Sequence, residues 1–475
     1  MRTVPCKLLT RVTSLTLSVA VLLLLLSSTQ VIAGEMSHGG NTTSADSSGL
    51  LETNEAGTVN FTINSDEALT FGADATASVN LSESSAATTL NLAHTLSSGT
   101  ATITLAGDIV VSGHASNVIN IVSTTTNSHL DFQGNVTATL GTINITSAAS
   151  NTTHIFTFDN KTAEDHIIDA VISEGQAGAT STVNITRTLG SGSNTATFQK
   201  TITVDTIAIA AGATAIFNGL VTGATTITSA NTTTYNAGHT GNIAFASGAD
   251  GTISVAADKI ITGNVTNGAD GQGTLTLAAP TADRTLVTGT IGSGSNALNV
   301  LNVAVLSHDT TFGNTVLADT INITQASGTD GTVVFSGDVA AATGMVLTGA
   351  DIIVQFPSGR SFSSAGAITT ATTDTGELHF LGGSQLVDSA VGASSKPLKL
   401  IQVSGNGDTT FSGPVYATTT TIDAASTVVM ASSQLLTSNV NFTGATGGTL
   451  RINTGNFTGN VTTANTGRGT VSTAG

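Results

Sequence analysis

The chain has 475 residues, of which 9% are charged and 4% aromatic, with no Trp, one Cys, 5 Pro and 52 Gly. Lys and Arg number 13 against 30 Asp and Glu, a formal charge of −17. That surplus repels phosphate and excludes nucleic acid as a partner. The absence of Glu/Lys/Leu heptads excludes a coiled coil, and a single Cys excludes a disulfide scaffold.

The N-terminus carries Arg2, Lys7 and Arg11, then the apolar stretch 15–26, a polar break at 27–30, and Val31-Ile32-Ala33 before Gly34. This order predicts a signal peptide over 1–33. Its apolar core is shorter than the roughly 20 residues of a spanning helix. Cleavage would remove Cys6 and three cations, leaving 10 Lys and Arg against 30 acids, or −20, with no Cys. A secreted chain of that kind is held by backbone pairing and packing alone. No transmembrane segment is expected after cleavage. Tyr235 and Tyr416 cannot supply the aromatic girdles of a membrane barrel.

Residues 34–56 read as a flexible polar lead-in. Residues 57–475 read as one repetitive domain in which apolar residues alternate with Thr, Asn or Ser. Examples are Gly57–Ile63, Thr142–Thr146, Thr182–Thr186, Thr274–Leu277 and Gly331–Phe335. Period two means one buried and one wet face, and Val, Ile, Thr and Phe suit a pleated surface. The stretch Ala163–Ile172 is the one candidate for a short helix. Asp-Gly turns at 248–252, 268–274 and 328–332 are expected to supply positive φ before strands. They lack the tandem nine-residue spacing of calcium-binding turns.

Two longer repeats stand out. Leu189–Asn194, Ile291–Asn296 and Val391–Lys396 share a Gly/Ser turn at intervals of about 100 residues. Phe-x-Gly-x-Val recurs at Phe132–Val136, Phe217–Val221, Phe335–Val339, Phe411–Val415 and Phe457–Val461. Units too small to bury their own cores must stack on their neighbours. The predicted fold is therefore all-β: a right-handed parallel β-helix, or β-solenoid, with irregular repeats. Tandem β-sandwich modules are the alternative.

Ile261–Leu277, Thr288–Val300 and Thr310–Phe312 together resemble the passenger repeats of rickettsial-type outer-membrane surface autotransporters. The shared rhythm is a Gly-Thr-Leu-Thr strand, a Gly-x-Ile-Gly turn, an Asn-Ala-Leu strand and a Thr-Phe-x-Gly turn. The resemblance implies a secreted β-helix on a bacterial cell surface that adheres to host or neighbouring cells. The C-terminal translocator barrel of that family is not recognisable in this sequence.

The sequence predicts no catalytic, cofactor-binding or metal-binding residue. The nine His have no ligand spacing. Ser307-His308-Asp309 holds the residue types of a triad, but a triad is a spatial arrangement, and a solvated turn is the expected state. The densest ionisable cluster is Asp159, Glu164, Asp165, His166, Asp169 and Glu174. It reads either as a carboxylate site for Ca²⁺ or polysaccharide cleavage, or as a charged loop or short helix; the latter is favoured. Sequons include Asn135, Asn144, Asn184, Asn264, Asn322 and Asn441. The expected function is that of a non-enzymatic, secreted, adhesin-like or structural surface protein making multivalent contacts, with self-association as a possible partner mode. The alternatives are a β-helix polysaccharide lyase or hydrolase, and a self-assembling surface-layer or matrix protein.

Overall fold

A computed structural model describes only strand segments between residues 34 and 105. From residue 107 it describes the chain apart from 113, 124–126, 148–152, 160–164, 175–179, 188–194, 326–329, 424, 445–446, 465–467 and 475. The signal peptide over 1–33, the turn at 189–194 and Glu164 lie outside the described residues. Packing divides the chain into two units between Gly223 and Ala224.

Each unit is a parallel β-solenoid, and no helix occurs among the described residues. The sandwich alternative is thereby overturned, because sandwiches are built from antiparallel sheets. In the second unit Ile253, Leu275, Leu301 and Ile321 stack directly upon one another, so successive coils take 22, 26 and 20 residues. Unequal coil lengths explain why the repeat is irregular in sequence. Each coil is closed by about three straight segments. Gly331–Phe335 lies between Thr310–Phe312 and Ile352–Pro357. Val339–Thr348 follows it and bends where the register with Val316–Gln325 slips at Ala318/Thr320.

Alternation sets what faces inward. Gly331, Val333 and Phe335 are buried and the residues between them half-exposed; Thr180–Thr186 repeats the pattern with Ser181, Val183 and Ile185. Phenylalanines form a continuous column in each unit. Phe132, Phe158, Phe198 and Phe217 have successive ring centroids 4.9, 5.1 and 5.2 Å apart. Phe312, Phe335, Phe356, Phe380 and Phe411 follow at 5.2, 5.9, 5.4 and 5.7 Å. Stacked and edge-on rings at these distances add to the burial energy of each ring.

The Phe-x-Gly-x-Val motif is a corner. In the copies at Phe132, Phe217, Phe335 and Phe411 the Phe ends one segment, the Val begins the next inward row, and the Gly passes over the coil behind. At Gly219 and Gly413 a Cβ would strike the backbone of Lys200 and Ser389, so the residue is required by close approach. The Asp-Gly turns divide in the same way. Gly271 takes the expected positive φ of 68°. Gly251 and Gly331 do not; a side chain there would meet the carbonyls of Ser229 and Leu306. The approach of the preceding coil, not turn handedness, selects glycine at those two positions.

The longer repeat is four coils. Ile291 stacks on Val316, Val316 on Val339, Met345 on Ile368 and Ile368 on Val391. Ile291–Asn296 and Val391–Lys396 form the same tight loop. Ser293 and Asn296 exchange backbone hydrogen bonds of 2.9 and 2.8 Å, and Ala393 and Lys396 exchange bonds of 3.1 and 2.9 Å.

Over its described residues, 165–172, the helix expected at Ala163–Ile172 is not formed. His166–Ile168 and Val171–Ser173 are strands, parallel to Thr195–Phe198 and Ile202–Ile209. His166, Ile168 and Ile172 point inward, so period-two burial overrides the local helical pattern. The span 34–56 carries the strands Gly34–His38, Ser44–Ala45 and Leu51–Thr53. Gly34–His38 lies antiparallel on Gly57–Ile63, and Ser44–Ala45 antiparallel on Leu51–Thr53.

Candidate functional site

The outward rows of the solenoid are built from hydroxyls and amides, because inward rows take the apolar residues. In the second unit Thr232, Thr252 and Thr274 form one outer column. Thr234, Ser254, Thr276, Asn302 and Asn322 form the next. The second column is internally bonded: Asn322 Nδ2 donates to Asn302 Oδ1 at 3.0 Å, and Asn302 Nδ2 to Thr276 Oγ1 at 3.3 Å. The first unit places Asn60, Asn91, Asn120 and Asn144 in one register column, with Asn144 Nδ2 donating to Asn120 Oδ1 at 3.0 Å. Sequon asparagines 144 and 322 thus belong to amide ladders. Such ladders expose hydrogen-bonding groups at the interstrand spacing of about 4.8 Å.

Turn carboxylates are spent on the fold. Asp108 accepts the Asn135 N–H at 2.7 Å, Asp270 that of Ala297 at 2.8 Å, Asp283 that of Asp309 at 3.0 Å and Asp338 that of Ser361 at 3.0 Å. Each bond crosses from one coil to the next at a corner, where ladder pairing lapses and an N–H would otherwise go unsatisfied.

The acidic cluster near residue 165 follows this rule. Asp165 is exposed and accepts the Thr195 N–H at 2.8 Å. Asp169 faces Lys200 at 3.2 Å. Asp159 and His166 are buried, 5% and 3% exposed. Glu174 is raised above the ordinary carboxylate range by desolvation and by Asp205. Asp165 and Asp169 therefore serve two separate coil-to-coil contacts. In Ser307-His308-Asp309 the imidazole turns to Asp283, with Nδ1 3.5 Å from Oδ1, while Ser307 sits in an exposed bend. Among the described residues no three His, Cys, Asp or Glu side chains converge to hold a metal ion, and no helix is long and apolar enough to cross a membrane.

Three arrangements escape reading from the sequence. Glu377 bonds His379 Nε2 at 3.0 Å and Lys399 Nζ at 2.9 Å, with Asp351 3.6 Å from the same ammonium. The His379 hydrogen bond and then Lys399 hold the Glu377 carboxyl below its ordinary range. A groove of about 570 Å³ is lined by Asp270, Ser295, Asp319, Ser364 and Asp388. Burial and then the Asp270 charge raise Asp319. Thr225 Oγ1 and His239 Nε2, 2.9 Å apart, are buried beside the Tyr235 ring. Burial lowers His239 to about 4. Glu377 and His379 share the strand Thr375–Leu381, but Lys399, Asp351 and the partners in the other two groups lie on other coils or segments, and unequal coil lengths hide that spacing.

Every Phe and Tyr with a described side chain is buried except Tyr416 and Phe457, which are half-buried. Exposed aromatic platforms of the kind that stack on sugar rings are therefore lacking among the described residues. No protein-family model matches the chain, and neither a curated protein nor a solved structure matches it.

Proposed function

We propose that this chain is a secreted, non-enzymatic surface protein of the adhesin-like or structural kind, exposed on a bacterial outer membrane and contacting another cell through many weak sites. The supporting observation is the outer columns of Thr, Ser and Asn repeated from coil to coil. Each offers modest hydrogen bonding, and repetition raises the effective concentration of the next contact. The acidic surplus keeps such chains apart in solution. The resemblance of residues 261–312 to autotransporter passenger repeats agrees with this reading, as does the signal-peptide pattern at 1–33.

One feature favours the rival reading of a polysaccharide-cleaving β-helix: the raised Asp319 beside Asp270 in an open groove, a pairing that can serve acid–base chemistry. Incubation of the purified chain with a panel of acidic and neutral glycans separates the two. The surface reading expects retention on cell or glycan surfaces that rises steeply with ligand density, with no shortening of the glycan. Cleavage that disappears in Asp319→Asn overturns it.

A further inference from the structure

The groove of about 570 Å³ lies wholly in the second unit and has an internal order. Leu317, Ala340, Ser363 and Asp388 follow one another on successive coils in one outward column. Steps of about 4.8 Å between paired strands place Asp388 roughly 14 Å along the groove from Leu317. Asp319, two residues after Leu317, marks the opposite end together with Asp270 of another coil. Between these ends the lining is Ala340, Ala341, Ala342 and Ala365, with Ser363 and Ser364 beside them.

The carboxylates that mark the two ends are not committed to the fold. Asp108, Asp283 and Asp338 each accept an N–H of the next coil, and Asp270 gives one oxygen to the Ala297 N–H. Asp319 and Asp388 accept no hydrogen bond and pair with no cation among the described residues. Asp319 is half-buried as well, and desolvation followed by the Asp270 charge raises it. No Lys, Arg or His lines the groove. A partly desolvated carboxylate without a counter-charge is costly, so charge complementarity selects a cationic occupant.

We propose that this groove binds a linear aliphatic polyamine lengthwise, with one terminal ammonium at Asp270 and Asp319, the other at Asp388, and the methylene chain along the alanines between them. The ends and the middle of the groove differ in kind, as they do in such a ligand. Carboxylates take charge-assisted hydrogen bonds from primary ammonium groups, and the alanine floor removes methylenes from water. A chain charged at both ends engages both, and the first contact raises the effective concentration of the second. A compact metal ion fits less well, since no three acidic side chains converge among the described residues. The site belongs to the second unit alone and holds whether or not the chain is displayed on a cell surface.

Isothermal titration calorimetry of the purified full-length chain with spermine, a linear tetraamine, tests the inference. One site per chain is expected at physiological salt, with an affinity about tenfold above that for 1,4-diaminobutane, which is too short to engage both ends. Asp319→Asn and Asp388→Asn should each weaken spermine about fivefold. Ser363→Lys, at an exposed position in the groove, should abolish binding. Asp374→Asn, on an exposed turn outside the groove, should leave it unchanged, and circular dichroism and melting check that every variant is folded. No binding of spermine, equal affinity for the two amines, or spermine binding unaltered in both groove-acid variants overturns the inference. Tighter binding of tetralysine than of spermine also overturns it, in favour of a peptide ligand.

Discussion

Asp258 and Thr281 lie one coil apart, and the carboxylate of the first takes both the backbone N–H of the second at 2.7 Å and its hydroxyl at 2.6 Å. These two hydrogen bonds hold Asp258 below its ordinary value: the Thr281 side chain contributes most, then the Thr281 backbone, with Arg284 and Lys259 adding less. Because the folded pKa is depressed, the contribution to stability is present above the unfolded value of 3.8 and is lost as pH falls through the folded one. Asp258→Ala is expected to lower the melting temperature at pH 7 and to have little effect at pH 2. Equal losses at both values would show that the carboxylate charge is immaterial.

His239 titrates in a different window. Burial lowers it from 6.5 to about 4, so it is neutral in the folded unit at neutral pH. The unfolded chain takes up a proton as pH falls below 6.5 and the folded unit does not. Stability contributed by this residue should thus decline between pH 6.5 and about 4, by about 3 kcal/mol in all. Urea unfolding at closely spaced pH values should show this slope in the native chain and a flatter one in His239→Gln.

The corner glycines carry a steric prediction. Gly413→Ala places a Cβ against the Ser389 backbone, whereas Gly212→Ala, at a φ of 80°, meets nothing within 4 Å. Overpacking against backbone should cost about 1–3 kcal/mol, and the uncrowded left-handed position only about 1 kcal/mol. Chemical denaturation of the two variants side by side measures the difference; an equal cost would deny close approach its role.

The aromatic column predicts a core response. Phe335 stacks between Phe312 and Phe356 and is 0% exposed. Phe335→Ala should destabilise the second unit by about 3–5 kcal/mol through lost burial and a cavity, and Phe335→Leu by much less.

The amide ladder predicts a smaller, directional loss. Asn302 donates to Thr276 and accepts from Asn322. Asn302→Ala removes both bonds and should cost about 1–2 kcal/mol, while Asn302→Gln, with the same chemistry one methylene too far out, should recover only part. Hydrogen exchange at Asn322 and Thr276 locates the effect, and protection unchanged at both would mean the ladder is ornamental.

Much of the fold was legible because burial in a parallel coil alternates residue by residue. Thr180–Thr186 and Gly331–Phe335 announce their inward rows directly. The Phe-x-Gly-x-Val repeat likewise marked a real corner. What misled was local: Ala163–Ile172 carries a helical pattern, yet His166 and Ile168 are drawn inward by neighbours some 30 residues away in sequence, Ala196 and Phe198. Gly251 and Gly331 looked like turn formers and are instead clearances for another coil.

The amino-acid sequence by itself determined the strand character, the inward column of Phe, Val, Ile and Leu, and the outward hydroxyl and amide face. Those follow from residue type and period two, which act over a few residues. Only the tertiary structure decided which coil sits on which, and therefore that Asp258 serves Thr281, that Glu377 reaches Lys399 on the next coil, and that Asp319 shares a groove with Asp270. Coils of 22, 26 and 20 residues have no fixed period to read, so partners that meet across a stack are invisible until the backbone hydrogen bonds set the register.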